Sequence, residues 1–360
     1  MSGRWAAIEA LVQKGERLST EDGLFLLTEA APLLELGALS NIVRDRKNPA
    51  GEVSFVIDTN PNYTNICDTD CLFCAFYRRP KDPDAYVLTV DQVMEKVASA
   101  ADRGATTVLL QGGHNRALPF EYYLSLIRET RRRFPGVTPH FFSASEVQTM
   151  ASVEGRPIEE ILQALWNAGQ RTLPGGGAEV LSERVRQKLA HKKGGPDKWL
   201  EVHRAAHKIG FRSTATMMYG HVETPSDMVE HWDRIRALQD ETGGFTAFIP
   251  WSFKPDHTVL ERRHPERTGP VPYLRVLAAS RVYLDNFDHI QASWFSEGKK
   301  AGQASLHFGA DDFGGTLLDE NVHAAAGFVN KAGVDEVKTL VREAGFAPVQ
   351  RTTLYESVSA

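Results

Sequence analysis

The chain has three cysteines, Cys67, Cys71 and Cys74, and their C-x3-C-x2-C spacing puts all of them in one short loop. An odd number of crowded thiols does not make a disulfide framework; it points to metal or redox chemistry. Thiolates favour soft metals and iron–sulfur clusters. A structural zinc site takes four protein ligands. One of the 12 histidines could complete such a set, but none stands nearby in the sequence. Cys67 and Cys74 bracket the segment from Asp68 to Phe73, so the loop can wrap one side of a four-iron cubane. Three thiolates then leave one iron without a protein ligand, and an open position makes a metal site reactive instead of structural. The alternative is a zinc-stabilised binding protein without catalytic activity, which metal analysis would separate.

A second set of chemistry-bearing residues recurs along the chain. QGGHN at 111–115, SASE at 143–146, PGGGAE at 174–179, YGHVE at 219–223, PWSFKP at 250–255 and GADDFG at 309–314 lie at the ends of apolar runs. With a first run at 53–58, these read as strands at 107–113, 139–145, 171–177, 213–220, 246–253, 290–294 and 306–314. Amphipathic helical stretches lie between them, at 90–102, 120–134, 158–169, 227–243 and 271–285. About eight strand–helix alternations over roughly 250 residues suit an α/β fold, a (β/α)8 barrel of the TIM type or a partial barrel extended at its C-terminal side. In a barrel the C-terminal strand ends share one face, and that face carries the active site. A doubly wound open sheet fits less well, because TNPNYTNICDTDC stands where its glycine-rich loop would follow the first strand. The expected organisation is a helical extension over 1–50, with Ser19 or Thr20 as an N-cap, the barrel over 51–315, and C-terminal helices and tail over 316–360.

Composition narrows the partners. A net charge of −5 and a pI near 6.2 argue against nucleic acid or an anionic membrane as the main partner. Arg131, Arg132 and Arg133 end a helical pattern, where the helix dipole favours positive charge. No signal-peptide pattern opens the chain and no stretch is long and apolar enough to span a bilayer, so a cytoplasmic enzyme is expected. HTVLERRHPE at 257–266 lacks the H-E-x-x-H spacing of a zinc protease, and GGGAE lacks the Lys-Ser/Thr of a phosphate loop.

The cysteine spacing, with Phe73 before the last cysteine and a first barrel strand before the loop, resembles the radical S-adenosylmethionine (SAM) superfamily. NYTNICDTDCLFCAFYRRP, LLQGGHN, TLPGGGAEVL, TMMYGHVET, FIPWSFKPDHT and FGADDFGGT resemble one subgroup of it, over residues 20 to 355. That subgroup holds the cyclic dehypoxanthine futalosine synthases and aminofutalosine synthases of menaquinone biosynthesis, and the deazaflavin (FO) synthase enzymes; the pattern is most similar to the first. Arg116 departs from it, since proline is expected after QGGHN, and this puts the local loop geometry in question.

The resemblance implies a [4Fe-4S] cluster on Cys67, Cys71 and Cys74, with SAM on the open iron. It implies SAM contacts from Phe73, Gly112, Gly113, Ser145, Glu146 and Glu179. It also implies dehypoxanthine futalosine as the small-molecule substrate and a reductant such as flavodoxin or ferredoxin. The implied reaction takes a hydrogen atom from C4′ of the ribose-derived ring, adds the carbon radical to the benzoate ring, and removes a proton and an electron. His114, Tyr219, Glu223 and Asp311 are the candidate catalytic residues, with His114 the candidate base. Trp251 and Trp294 are candidates for stacking on adenine or the aryl ring, and Arg78 and Arg79 for neutralising a carboxylate or the cluster.

Overall fold

Val53, Phe55 and Val56 are buried in strand β1 (Glu52–Val56), which runs on with one interruption as β2 (Asp58–Thr59). In this computed structural model, which describes residues 3–48 and 51–358, six strands follow, each parallel to the last. They are β3 (Thr107–Leu110), β4 (Thr138–Phe141), β5 (Thr172–Leu173), β6 (Arg212–Tyr219), β7 (Phe245–Ser252) and β8 (His289–Ile290). Strands β2 to β8 form one curled sheet of seven. The remaining gap is filled by β9 (Asp312–Gly315), which pairs with β1 at Ser54–Asp312 and Val56–Gly315. A single parallel bridge, Gln291–Asp312, joins β9 to the end of β8. The ring is closed, as a (β/α)8 barrel requires.

The intervening helices show why the alternation was readable. In Val90–Ala101, Thr89 and Gln92 form a capping box, and Val93, Met94, Val97 and Ala100 make one buried stripe. Ile161, Leu162 and Leu165 do the same in Ile158–Ala168, which Gly169 ends at φ 113°. Before β1, helices Gly3–Lys14, Thr20–Leu26 and Leu33–Lys47 pack on the barrel's side, and Ser19 caps the second through a box with Asp22. Gly23 and Gly37 permit the approach, since a Cβ there would stand 2.7 Å from the Tyr283 ring and 2.8 Å from the Phe308 ring. The expected domain limits at residues 1, 50 and 360 lie outside the described residues.

Two expected strands are misplaced. The run expected at 306–314 starts as the end of helix Lys299–Ser305 and a turn, with Gly309 at φ 94°, and the strand begins only at Asp312. Leu306 is fully buried, and the Phe308 ring packs against Gly37 of helix Leu33–Lys47; neither lies on a strand. At 290–294 the strand stops at Ile290, and Trp294 opens a one-turn helix, Trp294–Glu297.

A tenth strand closes the lower mouth. β10 (Ala347–Gln350) pairs with β1 from Glu52–Ala347 to Phe55–Gln350. The chain then crosses the N-terminal end of the barrel. Arg351 forms a buried ion pair with Asp312, Thr353 Oγ1 lies 2.6 Å from Thr107 Oγ1, and Tyr355 stacks on His289 at 3.7 Å. Among the described residues no helix is long and apolar enough to cross a membrane.

Candidate active site

The cysteine loop sits above the strand ends and is stitched to itself. Cys67 N–H donates to Arg78 O at 3.0 Å, and Arg78 N–H to Asn65 O at 2.7 Å. The Arg78 guanidinium holds the carbonyls of Ala75 and Tyr77 at 3.0 and 2.9 Å and Asp84 at 2.6 Å, so it clasps the loop. Arg79 and Lys192 both reach Asp70, at 2.6 and 2.8 Å. Cys67 and Cys71 are buried and Cys74 is half-buried. Burial pushes the Cys71 thiol up to about 12 and raises Cys74 as well; Cys74 and Cys67 respectively add to this through their fields, and Lys193 opposes it. Such thiols need a cation to be held as thiolates.

Two glycines of QGGHN let the β3 end press against this loop. A Cβ on Gly113 would stand 2.2 Å from Ile66 O and 3.0 Å from Cys67 Cβ, and one on Gly112 would stand 2.7 Å from the Tyr63 ring. Gly112 N–H donates to Glu146 Oε1 at 3.0 Å, and Tyr63 O–H to the same oxygen at 2.7 Å. The other carboxylate oxygen of Glu146 caps helix Ala144–Glu154 by accepting the N–H and O–H of Ser143, each at 2.7 Å. Glu146 thus holds the glycine turn in place and spends its acceptors on the protein. Ser145, in the same first turn, is buried with no partner for its Oγ among the described residues, and a Cβ on Gly177 would stand 2.3 Å from that oxygen. Glu179, at φ 47°, pairs with Lys193 at 2.9 Å and Arg186 at 3.4 Å, and Lys193 Nζ lies 5.4 Å from the Phe73 ring centroid.

A cavity of about 230 Å³ runs down the barrel axis, from Gln111 and Glu179 at the top to Arg351 and Tyr355 at the floor. Trp251 and Phe295 supply aromatic wall, and Asn60, Thr107, Thr216 and Gln291 supply hydrogen-bonding groups.

Phe73, Gly112, Gly113, Ser145, Glu146 and Glu179 therefore gather beside the three cysteines. Of these six only Glu179 lines the axial cavity, and none of the four catalytic candidates does. His114 faces a separate groove beside Arg116, Lys192 and Lys193, with Nδ1 3.2 Å from Thr149 Oγ1. Burial, aided by Lys193, pulls it down to about 3. Tyr219 and Glu223 line another cavity, toward Arg267 and Pro272. Burial alone would raise Glu223, but His221 and the N–H groups of Gly220 and His221 outweigh it and hold it at about 2. Asp311 precedes β9, so it stands at the opposite mouth, paired with Arg281 and His289. Trp294 is fully buried, donating to Gly315 O at 3.0 Å, whereas Trp251 lines the cavity. Sequence reasoning missed Lys193 and Arg186, whose charges answer Glu179, and Arg351, whose partners are too distant in sequence for any local signal. It also missed Glu320 and His323, on the cavity wall.

A closed parallel barrel with a three-thiol loop over its strand ends and a pocket along its axis defines an enzyme built to serve a metal cluster. Residues 61–235 match the radical SAM superfamily, and residues 242–360 match the CofH/MqnC C-terminal region. The chain is 41% identical over 96% of its length to a cyclic dehypoxanthine futalosine synthase of Halalkalibacterium halodurans, covering 92% of that protein. It is 41% identical over 99% of its length to an aminodeoxyfutalosine synthase of Thermus thermophilus, covering 96% of it. It is 44% identical over 85% of its length to a 5-amino-6-(D-ribitylamino)uracil–L-tyrosine 4-hydroxyphenyl transferase of Methanopyrus kandleri, covering 84% of it. The crystal structure of methylornithine synthase has the same fold, at TM-score 0.75 and 16% identity, over 95% of this chain and 97% of that one. The chain belongs to the radical SAM superfamily, in the branch that carries the CofH/MqnC C-terminal region. It is a radical SAM enzyme, and its cofactors are a [4Fe-4S] cluster and SAM.

The residues fit those groups. The thiols sit on one loop within each other's field. Among the described residues no three His, Cys, Asp or Glu side chains converge as a single-ion site would ask. The unpartnered Ser145 Oγ and the buried Lys193 are the polar groups beside the loop that suit the amino-acid end of SAM, and Gly112 and Gly113 let the β3 end pack close to the cysteines.

Proposed function

We propose that this enzyme is a cyclic dehypoxanthine futalosine synthase of menaquinone biosynthesis, joining C4′ of its substrate's ribose-derived ring to the benzoate ring. The observation that carries the reading is the axial cavity. Its aromatic wall of Trp251 and Phe295 suits an aryl ring, its amides and hydroxyls suit a sugar, and Arg351 is its one guanidinium among the described lining residues. An aryl carboxylate pointing to the floor would meet that guanidinium. When bound, the cluster and SAM would supply the one-electron chemistry that removes a hydrogen atom from the substrate. The chain's own residues do the rest. Cys67, Cys71 and Cys74 would hold the cluster. Gly112 and Gly113, fixed by Glu146 and Tyr63, present the backbone edge to SAM. Residues 347–355 shut the lower mouth against water.

A second reading, aminodeoxyfutalosine synthase, is supported by the relative of that name at equal identity. The reductant is proposed to be flavodoxin or ferredoxin, and the setting the cytoplasm. The test is anaerobic reconstitution with iron and sulfide, followed by reductant, SAM and dehypoxanthine futalosine. Deoxyadenosine together with the cyclic product supports the reading. Deoxyadenosine without it turns the search to aminodeoxyfutalosine or tyrosine chemistry.

A further inference from the structure

Two histidines line the axial cavity, His140 and His323. His140 lies deep, with Nδ1 2.9 Å from Thr172 Oγ1. Burial, aided by the field of Arg351, pulls it down to about 3, which leaves it a poor base near neutral pH. His323 is built differently. It belongs to the one-turn helix Val322–Ala325, whose start is held by Glu320: that carboxylate accepts Val322 N–H at 2.8 Å and His323 N–H at 2.9 Å. A Glu320 oxygen also lies 3.7 Å from His323 Nδ1, too far for a hydrogen bond. The ring is set between Trp251, at 5.3 Å, and Phe295, at 5.0 Å. Its Nε2 is buried and has no hydrogen-bond partner among the described residues. A buried ring nitrogen without a partner, in the wall of a pocket, is a group waiting for a ligand. Burial alone would push the Glu320 carboxyl up, but the neighbouring imidazole and the two N–H groups outweigh it and keep it in the charged form.

We propose that His323 is the proton acceptor of the cyclisation, with Nε2 taking the proton that the substrate's ring must lose. This rests on the cyclisation reading above. Addition of a carbon radical to an arene carbon makes the carbon–carbon bond and leaves that ring carbon bearing both the new bond and a hydrogen. Breaking this C–H bond sends the proton to Nε2 and leaves the electron pair in the ring. The ring is then aromatic with one electron in surplus, and that electron passes to a one-electron acceptor of the iron–sulfur class. The imidazolium formed stands beside the Glu320 carboxylate, which makes Glu320 a positioning residue.

The test uses the reconstituted holoenzyme, its His323→Gln and His323→Gly variants, and dehypoxanthine futalosine. The readouts are iron content and cyclic product formed per 5′-deoxyadenosine. In His323→Gln the ratio should fall tenfold or more, and added imidazole should restore it in His323→Gly. A ratio within twofold of wild type in both variants overturns the assignment. So does a loss that imidazole does not restore, or failure of both variants to take up the cluster, since a purely structural role would produce either. Absence of cyclic product from the wild type refutes the cyclisation reading itself, which is a separate outcome.

Discussion

Gly113→Ala probes the contact between the β3 end and the cysteine loop. The added methyl carbon would lie 2.2 Å from Ile66 O, 2.7 Å from Ile66 C and 3.0 Å from Cys67 Cβ. Two of these are backbone atoms of the loop, so no rotamer change relieves the clash. Ordinary carbon contacts need about 3.5 Å, so the loop must retreat by about 1 Å. That movement strains the bond from Gly113 N–H to Thr64 O, now 2.8 Å, which contributes about 1 kcal/mol. Overpacking adds about 1–3 kcal/mol, well within what a domain of this size survives. The larger effect is on geometry, because a displacement of about 1 Å at a positioned group costs about 100-fold in rate. The assay is iron and sulfide content after anaerobic reconstitution, with the initial rate of 5′-deoxyadenosine formation. We expect reduced cluster content and a rate lower by about 100-fold. Gly136→Ala is the control, since nothing lies within 4 Å of a Cβ there. Full cluster content with a rate within twofold of wild type in Gly113→Ala would refute the reasoning.

Cys71→Ala should abolish deoxyadenosine formation while leaving the circular-dichroism melt near that of the unloaded wild type; turnover in that variant would rule out the cysteine site. Tyr63→Phe removes the 2.7 Å bond to Glu146 from inside a buried aromatic cluster with Tyr123 and Phe142. A hydrogen bond to a charged group is worth about 1.5–3 kcal/mol, which a denaturant titration would read as a lower midpoint at constant slope. Asp58 is buried on the cavity wall, and burial, only partly offset by the Leu317 N–H, raises its carboxyl from 3.8 to about 6. The folded chain therefore holds a proton that the unfolded chain has released, and stability falls as pH rises from about 4 to 6, by about 3 kcal/mol. Asp58→Asn should flatten that slope in pH-dependent melts and leave the variant more stable than wild type at pH 7; an unchanged slope would discard the assignment.

The barrel was legible because its helices obey simple periodicity. Val90–Ala101 and Ile158–Ala168 were expected within a residue or two of where they lie, since caps and apolar stripes are local signals. The short strands were less so. β5 and β8 have two residues each, too few to show an alternating pattern, and before β9 Leu306 and Phe308 are apolar without lying on a strand. The cysteine loop and glycine edge were legible as chemistry, because three crowded thiols have few structural excuses. The acidic candidates were harder. Ser143 and Glu146 make a capping box that also reads as a polar strand end, and only the helix behind it explains the spacing. Asp311 looked like an active-site acid because the β9 start was set too early; with the strand beginning at Asp312, it belongs to the other mouth. Arg351 reaches Asp312 across the barrel floor, and nothing in VQRTTLY announces a lining residue.

Two contacts of the segment that shuts the lower mouth span 245 and 246 residues, from Thr106 to Arg351 and from Thr107 to Thr353. Contacts that distant close late in folding, after the ring they seal has formed. They are also few, and they open at less cost than the sheet itself. A barrel with this segment lifted is a tube open to water at both ends while every βα unit stays intact. The lifetime of a radical in the tube is then set by the local opening of residues 351–357, not by the global stability of the fold. Amide exchange there should outpace exchange in β6 and β7, and the difference measures how often the chamber leaks.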